Sequence, residues 1–320
     1  MTRYAVTGCA GFIGSHLTEA LLDRGHEVVG VDSFTAYYAR ERKESNLSSI
    51  RDAAGFTLIE DDLSTRPLMP LLSGVDGVFH LAAQAGVRDS WGDGFVAYVR
   101  DNLHATQRVF QAAAESGVRV VFASSSSVYG DAESYPTHED VRPLPLSPYG
   151  VTKLACEHLA QSYVAGMGLD VVGMRYFSVY GPRQRPDMAF QRVIAALLDG
   201  RPFPLLGTGR QVRDFTYVGD VVAATLSAME LGRPGRIYNV GGGSPTSLLD
   251  AIHICERITG RQAILDRRPV ARGDARRTSA DVSRIASELA WRPRTTLAEG
   301  LAVQVDWALR HADQLAASGA

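Results

Sequence analysis

The segment that most restricts the fold lies near the N-terminus. An apolar run, Arg3 to Thr7, passes into Gly8-Cys9-Ala10-Gly11-Phe12-Ile13-Gly14 and then into a helical pattern from Ser15 to Arg24. A strand, a glycine turn and a helix N-terminus in that order present backbone N–H groups and the positive end of a helix dipole to an anion, which makes a pyrophosphate cradle. Gly-x-x-Gly-x-x-Gly alone is weak evidence. Here a second strand, Glu27 to Val31, follows and ends at Asp32, eighteen residues past Gly14. A carboxylate at that place accepts both hydroxyls of an adenosine ribose and repels a 2′-phosphate, so NAD is favoured over NADP. The fold class this implies is α/β, a Rossmann-type doubly wound parallel sheet.

The rest of the first half keeps the alternation. A charged helix, Ala39 to Arg51, carries Lys43, and Phe56 to Glu60 reads as a third strand ending at Asp61-Asp62-Leu63. Asp62 there suits an adenine-amine acceptor and a helix N-cap alike. Gly77 to Leu81 is a fourth strand, and His80-Leu81-Ala82-Ala83 ends it with small residues that let backbone approach a cofactor. His80 itself reads as a packed core histidine. The loop Gln84-Ala85-Gly86-Val87-Arg88 lies at the carboxyl end of that strand, where doubly wound sheets bind ligands. Beyond Tyr176 the strand–helix alternation loosens. We therefore expect an NAD-binding domain over residues 1–176 and a smaller α/β substrate domain over 177–320, with some segments returning to the first.

A net charge of −2 with 21% charged residues gives no electrostatic reason to expect nucleic acid or an anionic membrane as partner. Cys9, Cys156 and Cys255 are widely spaced and odd in number, and no apolar run reaches membrane-spanning length. The expectation is a cytoplasmic protein with reduced thiols. The eight histidines do not cluster with cysteines or carboxylates at ligand spacing, so no metal site is expected.

The chemistry concentrates in Ser124-Ser125-Ser126-Ser127-Val128-Tyr129-Gly130 and Pro148-Tyr149-Gly150-Val151-Thr152-Lys153. An apolar strand, Val118 to Phe122, delivers the serines, and a helix running to about Gly166 presents Tyr149 and Lys153 on one face. A phenol, with an ordinary pKa near 10, is a poor base at neutral pH, and an ammonium held beside it favours the phenolate. A serine hydroxyl can hydrogen-bond the same substrate oxygen while hydride moves to or from carbon. Lys43 and Lys153 are the only lysines among the chain's 33 basic residues, and arginine would serve an ordinary surface position equally well. The long pattern Phe95 to Ser116 and the Tyr149 helix fit a dimer bundle or a core-facing stripe equally.

Taken together these segments resemble an extended short-chain dehydrogenase/reductase of the nucleotide-sugar epimerase/dehydratase group. The likeness runs on through Arg213-Asp214-Phe215-Thr216-Tyr217-Val218-x-Asp220, Arg272-Gly273-Asp274, Trp291-x-Pro293 and Glu299-Gly300-Leu301. The resemblance implies a homodimer, tightly held NAD and a UDP-sugar substrate. It makes Ser125 (with Ser126 one step away in register), Tyr149 and Lys153 catalytic, with Lys153 also on the nicotinamide ribose. Phe12 and Ile13 would offer backbone N–H groups to the diphosphate of NAD, and Tyr176 would lie beside the nicotinamide. Arg213 and Arg272 would take the diphosphate of the substrate, as forked permanent cations suit.

The residues beside the serines narrow the reaction. Dehydratases of this group resemble Asp-Glu-Val-Tyr-Gly, and UDP-glucuronate decarboxylases Ser-Glu-Val-Tyr-Gly, where this chain has Ser126-Ser127-Val128-Tyr129-Gly130. Neither serine supplies a carboxylate, which leaves a 4-epimerase. Gly181-Pro182-Arg183-Gln184-Arg185-Pro186-Asp187-Met188-Ala189 resembles a segment of UDP-glucuronate 4-epimerases. Burying the extra carboxylate of a uronate calls for a cation and hydroxyl donors, for which Arg185, Ser127 and Ser178 are candidates, with Arg88 as a further contributor. Rival readings are a UDP-glucose/UDP-galactose 4-epimerase, then a UDP-glucuronate decarboxylase, and, from another class, a non-enzymatic NAD sensor on the same fold.

Overall fold

A computed structural model of the chain describes residues 2–270 and 272–312. Its centre is a seven-stranded sheet, parallel throughout: β1 (Arg3–Thr7), β2 (Glu27–Asp32), β3 (Phe56–Glu60), β4 (Gly77–His80), β5 (Arg119–Ser125), β6 (Val171–Tyr176) and β7 (Ile237–Val240). The spatial order is β7-β6-β5-β4-β1-β2-β3, so the order reverses between β1 and β4. In such sheets the crevice at the reversal, outside the carboxyl ends of the strands, is where ligands bind.

The sequence dictates this layering. β6 is buried at every position, and β2 at all but its first, because helices cover both faces of the sheet. One face packs α1 (Phe12–Asp23) with the later helix Val218–Leu231 and Trp291. The other packs the helices Ala105–Ser116 and Pro148–Met167 with Leu63, Leu68, Leu71 and Leu72. A second lobe has its own core, built from Phe190, Ile194, Leu205, Ile252, Leu301 and Val305.

The residues after position 176 divide between the two cores. The helix Ala189–Asp199, the paired strands Phe203–Leu206 and Leu265–Arg268, and the helices Leu248–Thr259 and Leu297–Arg310 form the second lobe. The segment 218–240 returns to the main sheet, contributing β7 and the helix before it. Among the described residues no helix is long and apolar enough to cross a membrane.

Two local departures from expectation shape the site. The pattern Phe95–Ser116 is not one regular helix: after Phe95–Tyr98 it widens into π-helix over Val99–His104 before resuming as α-helix. Such bulges re-aim side chains at the cost of regular hydrogen bonding and recur at functional sites. The serine strand also runs further than the apolar run alone suggests, since Ser124 and Ser125 still pair with Arg175 and Tyr176.

Candidate functional site

The cofactor end of the cleft is built by close backbone approach. Gly8 has φ +71°, and a Cβ there would stand 2.8 Å from the backbone nitrogen of Ala82. A Cβ on Gly14 would come within 2.0 Å of the Gly8 carbonyl oxygen, so only glycine fits. Gly11 caps α1 without any side-chain acceptor, and Phe12, Ile13 and Gly14 line the cleft at the helix's positive end. The Asp32 carboxylate is fixed beside this cradle. It accepts from Ala10 N at 3.2 Å and Phe34 N at 2.8 Å, with Lys43 Nζ 3.4 Å away, both side chains buried.

Asp62 and Leu63 line the same end, and Asp62 Oδ1 accepts from Ser64 N at 2.8 Å, the turn-capping role weighed for it. Leu81, Ala82 and Ala83 form the floor. His80 lies behind them between Thr7 Oγ1 (2.8 Å) and Thr106 Oγ1 (3.0 Å). Burial pushes its imidazole down to about 3, with the Lys153 charge adding to the effect, so it packs neutral. Because Thr7 Oγ1 also accepts from Ala82 N, His80 steadies the floor without facing the reacting atoms. A cradle that a Cβ would fill, N–H groups at a helix start and an anchored carboxylate together fit a dinucleotide with a free ribose diol.

The other wall of the cleft, which carries the Tyr149–Lys153 pair, joins β5 to the helix Pro148–Met167. Ser147 starts that helix by accepting from Gly150 N at 3.1 Å, with Pro148 in its first turn. A Cβ on Gly150 would lie 2.5 Å from Ser127 O, so the helix start sits directly on the serine turn. Lys153 Nζ donates to Ala123 O at 2.9 Å, tying the ammonium to the serine strand while it lines the cleft with Tyr149. Ser124 Oγ is committed to Glu157 Oε1 at 2.5 Å. Ser125 Oγ accepts from Ser127 N at 3.1 Å, and Ser125, Ser126 and Ser127 all reach the cleft. Tyr176 lines it too, although its hydroxyl pairs with Thr225 Oγ1 at 2.8 Å in the core.

At the opposite end the proposed substrate residues separate. Arg213 lines the cleft, donates to Val212 O at 2.9 Å and makes no ion pair among the described residues. Burial lowers its pKa, with Asp274, Asp131 and Tyr135 opposing the shift from a distance. Ser178 lines the cleft at φ +22°, and Arg185 lines it with its guanidinium forked onto Asp187. Arg88 stands outside the lining, half exposed, 3.9 Å from Asp274. Arg272 is exposed and does not line the cleft. The turn at Gly273, φ +80°, carries Gly273 and Asp274 inward in its place.

The NAD dependent epimerase/dehydratase family model matches residues 4–241. The chain belongs to this family. It is 43% identical over 308 residues to an uncharacterized UDP-glucose epimerase of Bacillus subtilis, covering 95% of this chain and 96% of that one. It is 37% identical over 314 residues to a UDP-glucuronate 4-epimerase of Thermodesulfobacterium geofontis, covering 96% of each. Among solved structures it is similar to UDP-glucuronic acid 4-epimerase from Bacillus cereus, in complex with UDP-glucuronic acid and NAD. That match has a TM-score of 0.94 at 40% identity, over 97% of this chain and 99% of the other.

Sequence reading of this family member missed Asn102. It sits in the π-helical turn, fully buried. Its Nδ2 donates to Gln84 O (3.1 Å) and Thr152 Oγ1 (3.0 Å), and its Oδ1 accepts from Gln84 N (2.7 Å). It thereby holds the loop that starts at Gln84 against the helix Pro148–Met167. An asparagine inside a helical pattern, where its propensity is poor, was the one available signal. Also missed was Tyr98, whose hydroxyl donates to the carbonyls of Ala85 and Gly86 while its ring meets Tyr149 edge-on at 6.1 Å.

Proposed function

We propose that this epimerase/dehydratase family member inverts C4 of UDP-glucuronate to give UDP-galacturonate, using NAD. The observation that carries the reading is the makeup of the catalytic end. Tyr149 and Lys153 face the cleft beside Ser125, while Ser126 and Ser127 stand where an eliminating or decarboxylating enzyme would place carboxylates. Ser126 and Ser127 offer hydroxyls, which neither protonate nor deprotonate a carbon at neutral pH, so the 4-keto sugar meets no acid–base pair there to eliminate water.

Bound NAD would supply the hydride chemistry at C4, and inversion requires the 4-keto sugar to turn over in the pocket so that hydride returns to its other face. Gly8, Gly11, Gly14 and the N–H groups of Phe12 and Ile13 would hold its diphosphate, Asp32 its adenosine ribose, and Asp62, Leu63 and Lys43 the surrounding walls. Tyr149 removes the proton of the 4-hydroxyl and later restores it, and Ser125 hydrogen-bonds the same oxygen. Lys153 keeps positive charge beside the phenol and bonds the nicotinamide ribose. Arg213, a cation with no ion pair among the described residues, suits the substrate diphosphate; Arg272 and Arg88 would act only from the rim. Arg185, with Ser127 and Ser178, suits the uronate carboxylate. Such restraint matters, because the 4-keto uronate is a β-keto acid that loses carbon dioxide when the C5–carboxylate bond turns perpendicular to the carbonyl.

A homodimer in the cytoplasm is the assembly and location we assign. Val96 and Val99 expose apolar surface along the helical stretch that begins at Phe95, with Trp91 exposed on the bend before it, and the three cysteines are buried and unpaired. One feature favours a second reading, a UDP-glucose/UDP-galactose 4-epimerase: the Arg185 fork already holds Asp187. Incubating the purified protein with each nucleotide sugar and resolving the products by chromatography and mass decides between them. UDP-galacturonate of unchanged mass supports the uronate reading. A product lighter by carbon dioxide indicates a decarboxylase, conversion of UDP-glucose alone indicates the hexose enzyme, and no turnover despite NAD binding revives the sensor.

A further inference from the structure

Arg185 and Asp187 form a two-point pair at the cleft wall: Nε donates to Oδ1 at 3.0 Å and Nη2 to Oδ2 at 2.9 Å. The arginine side chain is 18% exposed and the aspartate 39%. The Tyr37 ring lies 6.0 Å from the guanidinium carbon and packs beneath it. The Nε–Nη2 edge is one of the two sides of a guanidinium that match the two oxygens of a carboxylate, the other being Nη1–Nη2. Asp187 therefore covers one edge that an acidic substrate could use and neutralises the cation as a whole. It has somewhere to turn, because Arg192 lies within electrostatic reach of both Asp187 and Arg88.

We propose that Asp187 is a specificity-determining residue: it competes within the chain for the Arg185 fork against the C6 carboxylate of a UDP-uronate. A uronate that takes the Nε–Nη2 edge displaces Asp187, which then faces Arg192. A neutral hexose leaves the pair intact and meets a neutralised wall. The relative acceptance of acidic and neutral sugars is thus set by how strongly Asp187 holds Arg185. The inference rests on the uronate reading and deepens it. A partly exposed ion pair of this kind is worth about 1 kcal/mol, which corresponds to roughly fivefold in affinity.

The test is steady-state kinetics of the full chain loaded with NAD, for wild type, Asp187→Asn and Asp187→Ala, with UDP-glucuronate and UDP-glucose. Near-UV circular dichroism checks that both variants are folded, and the isosteric asparagine guards against loss of the loop in the alanine variant. The expected result is a KM for UDP-glucuronate lowered about fivefold in Asp187→Ala and less in Asp187→Asn, with kcat moving less than KM. The KM for UDP-glucose stays level or rises, because the unpaired cation then faces a neutral hydroxymethyl group. A KM for UDP-glucuronate that is unchanged or higher in both variants overturns the competition and makes Asp187 a support for Arg185. Wild-type enzyme that turns over UDP-glucose and ignores UDP-glucuronate overturns the uronate reading itself, and the inference with it. That result appears before any substitution is made.

Discussion

Replacing Glu157 by glutamine strikes the buried charge pair that anchors the serine strand β5. Glu157 accepts from Arg175 Nε at 2.9 Å and Nη2 at 2.7 Å, and from Ser124 Oγ at 2.5 Å, with both charged side chains about 5–6% exposed. Arg175 Nη1 also donates to Tyr129 Oη at 2.6 Å, and that hydroxyl donates to Asn239 Oδ1 at 2.8 Å. Burial works against the Arg175 charge, and the Glu157 contacts more than offset it, holding its pKa above the ordinary value. Glutamine keeps one acceptor oxygen and loses the charge, so the cost falls near the low end of the range for breaking a buried pair, about 3 kcal/mol. With unfolding entropy near 2.1 cal/mol/K per residue, that loss lowers the Tm of a 320-residue chain by about 4–5 °C. Differential scanning calorimetry reads the shift. Because Ser124 adjoins Ser125, and Glu157 lies one helical turn past Lys153, kcat should fall as well. Glu157→Leu combined with Arg175→Met removes both charges and should melt closer to wild type than Glu157→Gln does. A Glu157→Gln protein melting within about 1 °C of wild type would refute this reasoning, as would a double variant less stable than the single.

Arg213→Gln should raise KM for the nucleotide sugar by about 10–100-fold, the worth of a charge-assisted hydrogen bond, while leaving NAD affinity nearly unchanged; steady-state kinetics and NADH fluorescence titration measure the two. Gly14→Ala should abolish NAD binding, since its Cβ would stand 2.0 Å from the Gly8 carbonyl, and the same fluorescence titration checks it. Burial lowers His80 to about 3 and His16 to about 4, the latter with the Arg183 charge adding to the effect. Both fold neutral, whereas the unfolded chain takes up protons below about pH 6.5, so their contribution to stability is intact above that pH and declines as pH falls toward their folded values. At pH 5.5 the two together should cost about 3 kcal/mol relative to pH 7.5. Urea midpoints at the two pH values test this, and His16→Gln with His80→Gln should shrink the difference.

Local signals made the cofactor half legible. The turn at Gly8, Gly11 and Gly14, the strand ending at Asp32 and the Tyr149–Lys153 spacing are all contained within single strand–turn–helix units, where chemistry and geometry follow directly from sequence separation. What escaped depends on contacts between distant segments. Glu157 and Arg175 lie on a helix and a neighbouring strand, and their pairing becomes visible only once the sheet is assembled. Asn102 acts through a π-helical turn, which leaves no periodic mark in the pattern Phe95–Ser116. Arg185 was legible as a cleft cation or as a loop-anchoring ion pair, and the pair it makes, with Asp187, is local. Arg272 was assigned to the diphosphate on motif alone, and the turn at Gly273 faces Gly273 and Asp274 to the cleft instead. The second lobe was the least legible, because residues 218–240 rejoin the first sheet after a long excursion that no local pattern announces.

Incubation of the NAD-loaded enzyme with UDP-glucuronate carrying deuterium at C4 tests the proposed chemistry most directly. Removal and return of one hydride within the Tyr149–Lys153 site predicts UDP-galacturonate that keeps its deuterium at C4, formed more slowly than from the unlabelled sugar. Deuterium lost to solvent, or a C4 that is never inverted, would contradict it.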